Sequence, residues 1–135
     1  MTNREFRETL ENRTAQYAVR VFKFLRALPY DVMVKVIANQ LGKSASSVGA
    51  NYHEANRAES RDDFVHKISI ALKEANESLY WFKVVAGLFG EEYQIRELRQ
   101  ETVELRNLLQ SILKSAKSHQ PSLTPPLPHS PTINQ

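Results

Sequence analysis

The chain has 135 residues and no cysteine, and it carries a formal net charge of +3 with 24% charged and 41% hydrophobic residues. One domain fits that length, and the missing cysteine excludes a disulfide scaffold, cysteine-ligated zinc or iron–sulfur sites and a cysteine nucleophile. No apolar run could span a bilayer and no apolar stretch follows the charged start of the chain, so we expect a cytoplasmic protein with no membrane partner.

Two helices are predicted in the first half of the chain. Helix 1 covers residues 3–28 and ends before Pro29, because the residue that precedes a proline is pushed out of the α region. Helix 2 covers residues 31–56 and contains Gly42 and Gly49, each of which costs a helix about 1 kcal/mol relative to alanine. Glycines beside serine and asparagine indicate close approach of two backbones or a polar network. Both helices carry a stripe with spacings of three and four residues: Leu10, Thr14, Tyr17, Val21, Phe24 and Leu28, then Val34, Ile37, Leu41, Ser44, Val48, Asn51 and Ala55.

The second half of the chain predicts two more helices. Helix 3 covers residues 61–86, because Ser60 to Asp63 resembles a capping box and Gly87 is typical of a left-handed C-cap. Helix 4 begins at Glu91 and runs to Lys117. Their stripes are Val65, Ile68, Leu72, Ala75, Leu79, Phe82 and Ala86 in helix 3, and Ile95, Leu98, Thr102, Leu105, Leu109, Ile112 and Ala116 in helix 4.

These elements predict an all-α fold with two regions. Short connections make successive helices antiparallel, so residues 1–117 are expected to form an up-down-up-down antiparallel four-helix bundle. Residues 118–135 contain five of the six prolines and none of the Lys, Arg, Asp or Glu residues. That composition predicts a disordered Pro/Ser-rich tail, and its PPLP sequence at Pro125 to Pro128 leaves a short docking motif as the alternative.

A second apolar face accompanies the stripes of three helices. A wide core stripe would explain it, and so would burial against another subunit; we expect the latter, in a homo-oligomer. Its residues are Phe6, Ala18, Phe22 and Leu25 in helix 1, Phe64, Ile70, Tyr80, Trp81 and Val84 in helix 3, and Tyr93, Val103, Leu108 and Leu113 in helix 4.

The sequence lacks the patterns that carry catalysis or metal chemistry. Di-iron bundles need Glu-x-x-His on two helices, whereas this chain offers a single Asp-x-x-His at Asp63 and His66. No P-loop, dinucleotide fingerprint, His-Glu-x-x-His motif or nucleophile elbow occurs. We therefore expect no enzyme activity, no metal site and no cofactor.

Positive charge gathers in the first helical hairpin. Five cations face one acid, Asp31, between residues 20 and 43, which gives this segment a net charge of +4. A basic hairpin can contact phosphates, and a ring of subunits would repeat it; in a single subunit, a solvated helix face is the simpler interpretation. The candidate phosphate ligands are Arg13, Arg20, Lys23, Arg26, Lys35 and Lys43.

A specific pattern occupies helix 2, namely Ser-x-Ser-Ser-Val-x-Ala-Asn-x-x-Glu from Ser44 to Glu54, and it is followed by a matching helix 3 from Ser60 to Phe82. In these residues the chain resembles the bacterial four-helix bundle proteins encoded in intervening sequences of 23S ribosomal RNA genes. The resemblance covers residues 5–116. Many members of that family have Gly where this chain has Ala55.

The resemblance implies a bundle that assembles into a homopentamer. The related accessory proteins of diversity-generating retroelements form a positively charged pentameric barrel that binds nucleic acid and a reverse transcriptase. RNA, DNA and a reverse transcriptase are therefore the partners that the resemblance implies.

Polar residues in helices 2 and 3 predict a structural network. Ser44, Ser47 and Asn51 lie on or beside the core stripe of helix 2, and a buried asparagine needs hydrogen-bond partners. We expect Asn51 to meet Glu77 or Glu74 on helix 3, with exposure of Asn51 to solvent as the alternative.

Two functional hypotheses follow from the sequence. The first is a non-enzymatic homo-oligomeric bundle that binds nucleic acid, RNA before DNA, through the basic candidates named above. The second is a protein–protein adaptor that uses its second apolar face and has no nucleic-acid role.

Overall fold

The structure, a computed structural model, describes residues 1–118, which form four α-helices: α1 at Asn3–Arg26, α2 at Val32–Ala55, α3 at Arg61–Phe89 and α4 at Tyr93–Ser118. Each helix packs against the next, and α4 closes the bundle against α1. The predicted all-α up-down-up-down antiparallel four-helix bundle is confirmed. The predicted disordered tail and its PPLP sequence lie outside the described residues, except that Ser118 is the last residue of α4.

Side-chain caps fix the beginnings of the first three helices. The Thr2 hydroxyl accepts a hydrogen bond from the Glu5 N–H at 3.0 Å, and the Glu5 carboxylate accepts one from the Thr2 N–H at 2.7 Å. This is a capping box, and its Thr-x-x-Glu signature was not among the predictions above. Asp31 caps α2, and Ser60 caps α3 by accepting from the Asp63 N–H at 3.0 Å.

The end of α3 differs from the prediction. Gly87 lies inside the helix, and the C-cap is Gly90, whose φ of 91° places it in the left-handed region that favours glycine. The Gly90 N–H donates to the Ala86 carbonyl at 2.8 Å. The prediction of Gly87 as the cap was wrong because the chain turns at the later of two glycines, and α4 consequently begins at Tyr93.

The buried face of α3 is rotated relative to its predicted stripe. Leu72, Leu79 and Ala86 are half-buried, whereas the fully buried positions include Ala71, Ser78 and Val85. Of the four helix pairs, α2 and α3 have the most extensive contact, and small side chains at this interface allow it because they let two backbones approach. The leucines, which suggested the stripe, flank the contact instead. The stripes of α1, α2 and α4 are buried as predicted except at Leu28, Asn51, Ile112 and Ala116, which are half-buried.

Candidate nucleic-acid interface

Five of the six predicted phosphate ligands are exposed on the first hairpin. Arg20, Lys23 and Arg26 lie in the last two turns of α1, Lys35 lies in the first turn of α2, and Lys43 lies near its middle. Within residues 1–118, none of these five side chains forms an ion pair. Their charges therefore face solvent without a partner carboxylate in direct contact.

Two depressions border the cations of α1. A groove of about 560 Å³ between α1 and α2 is lined by Lys23 and Arg26 together with apolar side chains, among them Val19 and Phe22. A cleft of about 300 Å³ between α1 and α4 is lined by Arg20 and again by Lys23. The hairpin therefore presents its positive charge beside two concave surfaces of different character.

Lys43 has different surroundings from the cations of α1. Burial raises the pKa of the Glu74 carboxyl on α3, and the charge of Glu77 raises it further, while the charges of Lys73 and Lys43 lower it. Lys43 thus lies within electrostatic reach of an acid on the neighbouring helix, although the two form no ion pair.

The half-buried Arg13 side chain is bound to two carboxylates of α4. Its guanidinium donates to both oxygens of Glu101, at 2.7 and 2.8 Å, and to Glu104 at 2.7 Å. The hydrogen bonds that Arg13 donates to Glu101 are the main reason why the pKa of Arg13 is raised. Because its donors already hold two carboxylates of α4, Arg13 ties the first helix to the last, and we do not retain it as a phosphate ligand.

The predicted contact between Asn51 and an acid of α3 is wrong. The Asn51 side chain is half-buried and donates to the Ser47 carbonyl one turn earlier on its own helix, at 2.9 Å. Among the described residues it makes no hydrogen bond to Glu74 or Glu77. A local carbonyl satisfies the amide without a partner across the interface.

The polar contact between α2 and α3 is instead made by hydroxyl groups. Ser44 and Ser78 are fully buried, and their oxygens are 2.8 Å apart. Tyr17 of α1 and Thr102 of α4 are likewise joined at 2.7 Å. Burial raises the pKa of Tyr17 to about 12, and the hydrogen bonds of Tyr17 with Thr102 and Ser78 act in the opposite direction. One buried hydroxyl from each helix therefore contributes to this network, of which only Ser44 was predicted.

A second polar cluster joins α1 to the end of α2. The Glu11 carboxylate accepts hydrogen bonds from Arg57 and Asn56, each at 2.9 Å, and His53 lies 3.3 Å away. The bond from Arg57 is the largest reason why the pKa of Glu11 falls to about 2. The sequence offered no signal for this cluster, because its members are 45 and 46 residues apart.

Among residues 1–118, no group of three His, Asp or Glu side chains is arranged to hold a metal ion. None of the four helices combines the length and apolar character that crossing a membrane requires.

The family model described as 23S rRNA-intervening sequence protein matches residues 9–111. Among solved structures, the chain is similar to the crystal structure of a protein with unknown function from the S23 ribosomal protein family of Bacteroides thetaiotaomicron. The two share 33% sequence identity with a TM-score of 0.73, and the match covers 80% of this chain and 97% of that chain. No curated protein matches.

Proposed function

We propose that this chain, which belongs to the 23S rRNA-intervening sequence protein family, is a non-enzymatic, homo-oligomeric bundle that binds nucleic acid through its first hairpin. RNA is the preferred ligand class, because the family's description refers to an intervening sequence of ribosomal RNA. The protein acts in the cytoplasm as a binding surface and needs no cofactor.

The observation that carries the proposal is the state of the hairpin cations. Arg20, Lys23, Arg26 and Lys35 are exposed and form no ion pair within residues 1–118, whereas Arg13 on the same hairpin is paired with two carboxylates. Unpaired cations release condensed counterions when they contact phosphates, which is the main source of sequence-independent affinity for nucleic acid. These four cations are therefore available to bind phosphates and to replace the counterions of a nucleic acid.

Self-association would multiply this surface. Exposed apolar side chains accompany the cations on the hairpin, namely Val19, Phe22, Val32, Met33 and Val36. Such side chains are typical of a surface that another chain covers. We propose a pentamer, as the family resemblance implies, and the mass in solution by native mass spectrometry tests it: five times the 15.5 kDa chain is expected, and a monomer at micromolar concentration would contradict the proposal.

Salt dependence of RNA binding tests the hairpin as the interface. We expect the double variant Arg20→Gln/Lys23→Gln to bind single-stranded RNA more weakly. Its plot of log affinity against log salt should be less steep by about 1 to 1.5, since each lost phosphate contact removes about 0.7. The matched control is Lys114→Gln/Lys117→Gln, which removes the same charge at the far end of α4.

Unchanged affinity and salt slope in the hairpin variant, or an equal loss in the control variant, would contradict this interface. If no RNA or DNA binds at low salt, the nucleic-acid function itself fails.

The second candidate function is a protein adaptor without a nucleic-acid role. The apolar groove between α1 and α2 favours it, because Phe22 and Val19 at its edge are about half exposed. A reverse transcriptase is the partner that the family resemblance implies. Stable binding of one purified protein that persists in nuclease and is lost in Phe22→Ser would favour the adaptor over the nucleic-acid binder.

A further inference from the structure

The cleft between α1 and α4 is a gap in the closure of the bundle. Among the four neighbouring helix pairs, α1 and α4 have the least contact. At the end of the bundle where α1 finishes and α4 begins, this loose contact leaves a cavity of about 300 Å³ that is open to solvent. A space of that size is at the lower end of small-molecule binding sites, which is large enough for a flat heterocyclic ring.

The cleft has an apolar floor and two chemically different walls. Phe24 and Leu98 are buried in the core and form the floor. The α1 wall carries the guanidinium of Arg20 and the ammonium of Lys23. An apolar floor beside two cations fits a ligand that combines an aromatic face with negative charge.

The α4 wall adds a free aromatic ring and two polar side chains. Tyr93, the first residue of α4, is 67% exposed, so its ring is not used by the core. Gln94 and Glu97 lie on the same wall and are exposed. An amide and a carboxylate can accept hydrogen bonds from amino groups on the edge of a base, while the carboxylate repels phosphate from this wall.

We propose that this cleft receives one unpaired nucleobase of a single strand, which stacks on Tyr93 while the flanking phosphates contact Arg20 and Lys23. The inference rests on the proposed nucleic-acid function and specifies its ligand as single-stranded. A base held in a duplex cannot enter, because both of its faces are stacked on neighbours. Stacking on an aromatic side chain is tolerant of sequence, and Glu97 favours a base with an exocyclic amino group.

The test uses the full chain and two fluorescent probes, a cytidine ribo-oligonucleotide of about twelve residues and an RNA duplex of similar length. Tyr93→Leu keeps an apolar side chain but removes the aromatic face. We expect it to weaken oligocytidine binding roughly tenfold, with the salt slope and the duplex affinity unchanged. Tyr93→Phe, which keeps the ring, should recover most of the lost affinity.

The matched control is Leu88→Ala, since Leu88 is an apolar residue of α3 that is 58% exposed and does not line the cleft. It should bind both probes as the wild type does. Helical content by circular dichroism should be the same in all variants, because Tyr93 and Leu88 are both exposed.

The outcomes separate this inference from the function on which it rests. If Arg20→Gln/Lys23→Gln loses affinity but Tyr93→Leu binds oligocytidine like the wild type, the hairpin binds nucleic acid and the base-binding cleft is refuted. An equal loss of duplex and oligocytidine affinity in Tyr93→Leu also refutes it, because stacking of an unpaired base would not be the cause. If the wild type binds neither probe, the proposed function fails and the inference fails with it.

Discussion

Buried hydroxyl groups from all four helices meet in the core at the scale of single residues. The Ser44–Ser78 and Tyr17–Thr102 pairs have oxygen separations of 2.8 and 2.7 Å, and all four residues are at most 1% exposed. Their geometry depends on the relative height of the helices, whereas apolar side chains tolerate small slips. We infer that these pairs fix how far each helix is shifted along its neighbours, a role that buried polar groups have in coiled coils.

Removing the tyrosine hydroxyl tests this network. Tyr17→Phe should lower the free energy of unfolding by about 1 kcal/mol, while Thr102→Val should cost up to about 3 kcal/mol because it leaves the buried phenol with fewer partners. Thr102 keeps its hydrogen bond to the Leu98 carbonyl, at 2.7 Å, when the tyrosine hydroxyl is gone. Urea denaturation measures both, and a combined loss smaller than the sum would show that the two hydroxyls act on each other. If the loss in the double variant equals the sum of the losses in Tyr17→Phe and Thr102→Val, the two hydroxyls do not stabilise the fold through a shared hydrogen bond.

Glu11 makes the stability of the bundle depend on acid pH. Its pKa falls from 4.5 in the unfolded chain to about 2 in the folded protein. A carboxyl with a lowered pKa stabilises the fold above pH 4.5, and that contribution is lost as pH falls from 4.5 towards 2. The side chain of Glu11 is 21% exposed and that of Arg57 is more than half exposed, so solvent screens the pair and we expect about 1–2 kcal/mol at pH 7.

The variant Glu11→Gln measures this contribution. At pH 7 it should unfold at a lower urea concentration than the wild type, and the difference should shrink as pH falls towards 2. Glu8→Gln is the control, since Glu8 is on the same helix in an exposed pair with Arg4 and should change stability by less than about 0.5 kcal/mol. A difference between wild type and Glu11→Gln that does not depend on pH would exclude the ionised carboxylate as its cause.

At the scale of helices, two glycines of α2 set its distance from α1. A Cβ atom added at Gly49 would lie 2.8 Å from the Thr14 Oγ1 and 2.9 Å from the Thr14 Cβ. One added at Gly42 would lie 3.0 Å from the ring of Phe22, which is exposed and able to turn. The close approach that the glycines indicated in the sequence is confirmed, and of the contacts at 3.0 Å or less only those at Gly49 involve a buried neighbour.

The matched pair Gly49→Ala and Gly42→Ala tests this difference. Both gain about 1 kcal/mol of helix propensity. Gly49→Ala should nevertheless destabilise the protein by about 1–3 kcal/mol, because α1 must move away, while Gly42→Ala should be neutral or slightly stabilising. Thermal unfolding measures both, and a Gly49→Ala variant as stable as Gly42→Ala would show that α1 moves away at no cost.

At the scale of the whole molecule, the first and last helices are joined by the ion pairs of Arg13 in addition to the Tyr17–Thr102 hydrogen bond. Since α1 and α4 have the least contact of the neighbouring pairs, the Arg13 bonds to Glu101 and Glu104 are a large part of what closes the bundle. Glu101 is only 14% exposed, so its charge needs a partner. The limited contact between α1 and α4 leaves a cleft near Tyr93, and the Arg13 ion pairs hold the same two helices together about two turns further along.

Breaking this contact should loosen the interface between the first and last helices. Arg13→Gln is expected to cost about 1–2 kcal/mol, since Glu101 would keep a largely buried charge while solvent screens part of the loss. Hydrogen exchange should speed up most in α1 and α4. RNA affinity should stay within about twofold of the wild type. A large loss of affinity in a folded Arg13→Gln variant would show that Arg13 does contact nucleic acid.

The sequence by itself determined where the helices lie and, in three of them, which face is buried. Spacings of three and four residues, Pro29 and Ser60 are local signals, because helix periodicity and capping act within a few residues. The excess of cations between residues 20 and 43 located the basic hairpin. The spacing failed at α3, where the leucines indicated one face and the contact with α2 selected another.

Only the tertiary structure decided which side chains meet. Arg13 and Glu101 are 88 residues apart, Tyr17 and Thr102 are 85 apart, and Ser44 and Ser78 are 34 apart. Periodicity tells which face of a helix is buried but not which residue lies opposite, because that depends on the heights and rotations of all four helices together. For this reason the sequence placed Arg13 among the phosphate ligands and Asn51 across from an acid, and for the same reason it could not reveal the cleft that Arg20 and Tyr93 share.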